Sequence, residues 1–285
     1  MSQPDTLVAE LWYGDPPDLT DPALLAGLRA LAPATEVQRD SLAVPYAGAE
    51  VRPPERTRTD ANSSSGNGSG GNGSGGEAPP LLTVVMPGSP LGSDGKALPD
   101  TAQTWDWAEA DSALASARAS VLVTEMFAEG HPASDRVAAL ASVVAALVAA
   151  TGPLAISWPT SQKVSDPSEA PAGDLGGLLN VRLFRVSDDE DELVMDTLGL
   201  APFALPDLQC HFRDLAPGPL AAVLHATASY LFEAGDVIAD GDTISGPEGD
   251  EHWRCRHEDA LVGPRRRVLD VDPGEPYAAG RRARG

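Results

Sequence analysis

The sequence predicts an α+β fold of two lobes, each a small mixed or antiparallel sheet with helices packed on one face. Three observations predict it: short apolar runs alternate with helix-period segments through the first half, strand-like arms cluster as hairpins in the second, and one Ser/Gly tract interrupts the pattern. The 285 residues are enough to bury a sizeable core. The β-α-β-β-α-β order before residue 165 suggests a ferredoxin-like first lobe.

Residues 7–13 (LVAELWY) suit a strand, and Asp21 followed by Pro22 sets an N-cap and a first-turn proline before a helix over 23–31. A strand is expected near 36–44. Residues 63–76 (SSSGNGSGGNGSGG) hold no apolar side chain to bury, and the flanking prolines and charges extend an expected disordered insertion to about 50–78. Residues 81–86 (LLTVVM), bounded by prolines, read as a buried strand. A short helix is expected over 111–117 and a further buried strand over 120–127. Ser134 is placed as the cap of a buried helix over 135–150, which joins the two lobes, and a strand over 154–158 follows.

In the second half, 181–186 and 193–198 form the arms of a hairpin around the acidic stretch 187–192. A strand over 206–212, a helix over 220–232 ended by Gly235, and strands over 251–256 and 267–271 complete that lobe. The expected organisation is therefore 1–49 as the N-terminal part of the first lobe, 50–78 as insertion, 79–165 as its remainder, 166–275 as the second lobe, and 276–285 as a disordered basic tail.

Charge narrows the function. Lys plus Arg number 20 against 42 Asp plus Glu, a net charge of −22, which repels phosphate backbones and anionic lipid. Nucleic acid and membrane partners are not expected, and a basic protein is. With two cysteines, Cys210 and Cys255, no disulfide framework is available. Residues 1–7 lack a secretory pattern, and the apolar stretch 137–150 falls short of the roughly 20 residues that span a bilayer. A cytoplasmic location follows as the expectation.

Candidate sites come from polar residues at strand exits. Thr124 and Glu125 end one buried strand, and 157–162 end another; such exits build ligand crevices in α/β sheets. There Glu125 would serve as a base or cation ligand, Trp158 as a stacking surface and Gln162 as a polar contact. The structural alternative is that Trp158 closes the core and Glu125 caps a turn. Asp240 and Asp242, in ADGDTI, are spaced as weak metal candidates, but an EF-hand needs more oxygen ligands, and a tight turn entering a strand accounts for them better. His252, Cys255 and His257, with Cys210 and His211 elsewhere, fall short of a zinc set, because only Cys255 and His257 share a strand face. Trp105 and Trp107 are binding anchors if exposed and core if not. The acids 188–192 read as a solvated loop tip or a contact for a basic partner.

Five blocks in order, WDWAEAD (105–111), SVLVTEMF (120–127), AISWPTSQ (155–162), DTLGLAPFALPDLQ (196–209) and SYLFEAGDVIADGDTI (229–244), resemble the bacterial domain of unknown function 4261 family over residues 105–272. The resemblance assigns no activity to particular residues; such families occur among bacterial effector, immunity and secretion-associated genes.

No catalytic triad, P-loop, dinucleotide fingerprint or metal-binding helix is visible in the sequence, and no cofactor is expected. The first expectation is a non-catalytic interaction protein, an immunity or accessory factor with an acidic surface. The alternative is a small-ligand-binding protein or hydrolase using the crevice near Glu125 and Trp158.

Overall fold

A computed structural model of the chain describes residues 6–46, 79–91, 97–169, 175–186 and 192–280. The first half holds β1 (Val8–Tyr13), α1 (Pro22–Leu31), β2 (Glu36–Gln38), β3 (Ser41–Pro45), β4 (Leu82–Pro87), α2 (Ala110–Ala115), β5 (Ala119–Met126), α3 (Ala133–Thr151), β6 (Ala155–Trp158) and β7 (Lys163–Ser165). Its strands make one seven-stranded sheet in the order β2-β3-β4-β5-β1-β6-β7, with every neighbouring pair antiparallel. Within it, β1-α1-β4-β5-α3-β6 gives the spatial order β4-β5-β1-β6, the split βαβ arrangement of ferredoxin-like folds. The hairpin β2–β3 widens one edge and β7 the other.

Strand alternation explains the layers. Leu7, Ala9, Leu11 and Tyr13, with Val121, Val123, Ile156 and Trp158, face Leu24 and Leu28 of α1 and Val137, Leu140, Val144 and Leu147 of α3. On the opposite face Trp12, Ala155 and Val164 pack against Ala110 and Leu114 of α2. Helix α3 is long and apolar enough to cross a membrane by length and composition, yet eight of its 19 residues are buried, Arg136 among them.

The second half holds β8 (Asn180–Arg185), β9 (Leu193–Leu198), β10 (Asp207–Phe212), α4 (Pro217–Ala234), β11 (Thr243–Ser245), β12 (His252–Asp259) and β13 (Arg267–Asp272). The sheet order is β11-β12-β13-β10-β9-β8; β10 and β13 run parallel and the other pairs antiparallel. One face carries Met195, Leu208, Cys210, Trp253, Cys255 and Val271 against Leu220, Leu224, Ala228 and Leu231 of α4. The molecule is thus α+β with two sheets.

Several elements differ from the sequence expectation. The single strand expected at 36–44 is the hairpin β2–β3, turned at Arg39 (φ 54°) and Asp40, with the Ser41 hydroxyl donating to Gln38 O at 3.0 Å. Ser134 is not a cap: α3 starts after Pro132, whose fixed φ and missing N–H suit that position. Asp21 does cap α1, accepting from the amides of Ala23 and Leu24 at 2.8 and 3.1 Å. Helix α3 is a layer of the first lobe rather than a joint between lobes, and its first turn reaches the second through Arg136 and Pro202 O at 2.7 Å. Residues 276–280 pack rather than fray: Ala278 bridges Phe212, Tyr277 O accepts from Arg213 N at 2.9 Å, and Ala279 is buried. The expected insertion, most of the acidic loop and the arginines of the tail lie outside the described residues.

Candidate functional site

Glu125 ends β5 on the helix-facing side, in register with apolar Val121 and Val123. A carboxylate there requires a partner, because burying an unpaired charge is costly. It finds two. Its Oε1 accepts from Leu7 N at 2.8 Å and from Arg136 Nη2, and its Oε2 accepts from Arg136 Nε at 2.9 Å. The same guanidinium lies 5.5 Å from the Phe203 ring centroid, and Phe203 meets Phe232 edge-on at 5.0 Å. Around this pair runs a cleft of about 810 Å³ lined by Met126, Phe127, His131 and Phe203. Phe127 is half exposed and held at φ 59°, a conformation a bulky side chain rarely adopts. His131 is 8% exposed; its Nε2 lies 3.3 Å from Pro79 O, and its Nδ1 has no partner among the described residues.

The other strand exit forms a separate cleft of about 500 Å³, lined by Glu10, Trp12, Gln103, Trp158, Gln162 and Lys163. The single crevice expected to hold both Glu125 and Trp158 is not formed: β5 and β6 pair with opposite edges of β1, which separates the two exits. Trp158 is fully buried, and its Nε1 donates to Ser165 Oγ at 2.9 Å. Its ring lies against Gly177, where a Cβ would come within 2.0 Å of the indole, so the indole serves as core. Gln162 brackets the second sheet, its Oε1 accepting from Arg182 Nη1 at 3.0 Å and its backbone O from Asn180 Nδ2 at 3.2 Å. Trp105 is half exposed and donates to Gln103 Oε1 at 3.2 Å; Trp107 packs on the α2 cluster. Gln103 also bonds both backbone groups of Leu183, at 3.0 and 3.2 Å, on edge strand β8.

Asp240 and Asp242 are committed to the turn that enters β11. Asp242 Oδ2 accepts from Ala239 N at 2.8 Å. Asp240 Oδ1 accepts from His257 N at 2.7 Å and lies 2.9 Å from its Nδ1. Asp236 lies 3.2 Å from the other ring nitrogen. The His257 bonds hold the Asp240 carboxyl below the usual range. Among the described residues no group of three or more His, Cys, Asp and Glu side chains could hold a metal. Cys210 and Cys255 are buried on strands separated by β13, and burial pushes the Cys255 thiol up to about 11, away from nucleophilic chemistry.

The most connected polar arrangement was missed by the sequence reading. Arg182, Asp196, Gln209 and Asp270 stand opposite one another across four strands, all less than 5% exposed. Arg182 donates to both oxygens of Asp196 at 2.9 and 2.7 Å. Arg266 donates to Asp196 at 2.7 Å and to Asp207 at 2.9 Å. The segment between β12 and β13 is tied over this face by Leu261 N to Gln209 Oε1 at 2.7 Å and by Arg182 Nη2 to Gly263 O at 2.9 Å. Burial pushes the Asp207 carboxyl above its usual range, against the opposing pull of Arg266. The available signal was a charged or amide side chain in the interior of each strand, Arg182, Asp196, Gln209 and Asp270.

Fold and sites together define an α+β chain whose buried charges serve chiefly as internal ties. Residues 196–272 match the domain of unknown function DUF4261, and that segment contains Asp196, Asp207, Gln209, Arg266 and Asp270 with α4 and β10 to β13. The blocks at 105–162 lie outside the match. No curated protein and no solved structure matches the chain.

Proposed function

We propose that this chain is a non-catalytic interaction factor, of the immunity or accessory kind, that works in the bacterial cytoplasm and engages a basic protein through its acidic surface. The observation that carries the reading is where the charge resides. Of a net −22, the core takes up little: five acids (Glu10, Glu125, Asp196, Asp207, Asp270) and two arginines (Arg136, Arg182) are buried. The rest faces solvent or lies in the segments outside the described residues, available to steer a cationic partner. Glu125, the group an enzyme would need as a base, is already ion-paired to Arg136 and bonded to Leu7 N. Two buried cysteines that form no disulfide with each other accord with a reducing compartment. The test is affinity capture from the host lysate at about 50 mM and 500 mM salt, a range over which exposed charge pairs are progressively screened. A basic protein retained at low salt and released at high salt is expected. Retention that ignores salt, or no retained protein, would count against the reading.

A second reading, a small-ligand protein using the cleft beside Glu125, is favoured by one observation: the unpartnered Nδ1 of His131 in that cleft. A thermal-shift screen compares the wild type with His131→Phe. Compounds whose stabilisation vanishes in the variant support it; an empty screen argues against it.

A further inference from the structure

We infer that the open edge of β11, with the flank of α4 beside it, is a docking groove for an extended protein segment that alternates basic and apolar residues. The inference rests on the acidic-surface reading and gives it a place. Strand β11 ends the second sheet, so one side of its backbone has no strand beside it among the described residues. The bonds Cys255 N to Asp242 O at 2.8 Å and Gly241 N to Cys255 O at 2.8 Å, with Ile244 opposite Trp253, set the ladder phase: Ile244 bonds inward to β12, and the backbone groups of Thr243 and Ser245 point outward. Such an edge is a template for an added strand.

Beside the edge lies a groove of about 640 Å³ between α4 and β11, its walls including Val223, Thr227, Tyr230, Val237 and Ile244. Val223, Thr227 and Tyr230 share one helix stripe by their spacing, and the stripe is not fully covered: Tyr230 and Val237 are each 52% exposed. One side chain in two of an added strand would enter this groove, which selects apolar residues at alternate positions. The surroundings select the rest. Asp236, Asp240 and Asp242 lead into β11, and Glu248 and Asp250 follow it, all exposed. A cationic segment matches this charge, and an acidic one is repelled.

The probe is a fluorescent peptide of about nine residues alternating Lys and Val, long enough at ~3.3 Å per residue to cover the edge, added to the full chain at low salt and followed by anisotropy. Three comparisons locate its binding. N-methylation of two adjacent central residues blocks both peptide edges and leaves charge untouched, and should weaken binding by about tenfold or more if main-chain pairing carries it. Tyr230→Ser with Val237→Ser, at half-exposed positions that the core does not depend on, should weaken it comparably. A Glu–Val peptide should not bind. Equal binding of the methylated and parent peptides, or binding indifferent to the double variant, overturns the groove. If no peptide binds while lysate capture stays salt-sensitive, the groove is overturned and the acidic-surface reading stands; if both fail, both fall.

Discussion

Arg136 has two tasks, neutralising Glu125 and reaching Pro202 O across to the second half of the chain. Arg136→Met strands a carboxylate that is 2% exposed, and removing one partner of a buried pair costs about 3–5 kcal/mol. Urea denaturation should show that loss, and Glu125→Leu added to Arg136→Met should recover part of it. The recovery is partial because Leu7 N loses its acceptor. A different titration governs the alkaline side. Burial pushes the Tyr13 phenol up to about 12, with the Thr151 hydrogen bond opposing. A raised acid favours the neutral form in the folded state, so its contribution is whole below the ordinary tyrosine value near 10 and is lost as pH rises through about 12. A shift of that size corresponds to about 2–3 kcal/mol. Stability measured between pH 9 and 12 should therefore fall more steeply in the wild type than in Tyr13→Phe; equal slopes would contradict the assignment.

At the scale of elements, the segment between β12 and β13 is held over a polar sheet face rather than an apolar one. Arg266→Ala leaves Asp207 without its guanidinium, while Asp196 keeps Arg182. The loss should be about 3 kcal/mol or more at neutral pH, with faster amide exchange at Leu261. Because burial already raises Asp207, its stabilising contribution is present at low pH and is lost as pH rises through the raised value; the deficit of Arg266→Ala should narrow on acidification toward the carboxylate range. This network was illegible in the sequence because it depends on register across four strands, although each strand was itself expected. Strand β7 was missed because three residues carry no periodicity, and the β2–β3 turn because Arg39 adopts a positive φ that glycine or asparagine usually signals. Glu125 was singled out as a strand exit, but its partner Arg136 was hidden inside the apolar α3. Trp158 was singled out too, and the close Gly177 that makes it core lies far along the chain. Deletion of residues 63–76 tests the same scale. Tyr46 N already bonds Leu81 O at 2.8 Å, and Pro45 stands opposite Leu82, so the hairpin ends meet regardless of what links them. Shortening the connection changes closure entropy by about 0.5 kcal/mol, and the melting temperature should move by no more than a few degrees; a large drop would mean the stretch contributes to the fold.

For the whole molecule, a net charge of −22 opposes compaction through self-repulsion. The Debye length shrinks from ~30 Å at 0.01 M salt to ~8 Å at 0.15 M, so raising salt across that range should raise the melting temperature of the free protein. A gain of about 1 kcal/mol corresponds to roughly 2–4 °C for domains of 150–250 residues. A basic partner neutralises the same charge and, by binding only the folded state, stabilises further by mass action, but its affinity is weakened by the screening that relieves the repulsion. The two responses have opposite sign. At fixed partner concentration the melting temperature of the free chain should climb with salt while the increment added by the partner shrinks, so the two curves converge. Parallel curves would show that the contact is apolar and that the surface charge does not drive association; a free chain indifferent to salt would show that its acids are too dispersed to repel.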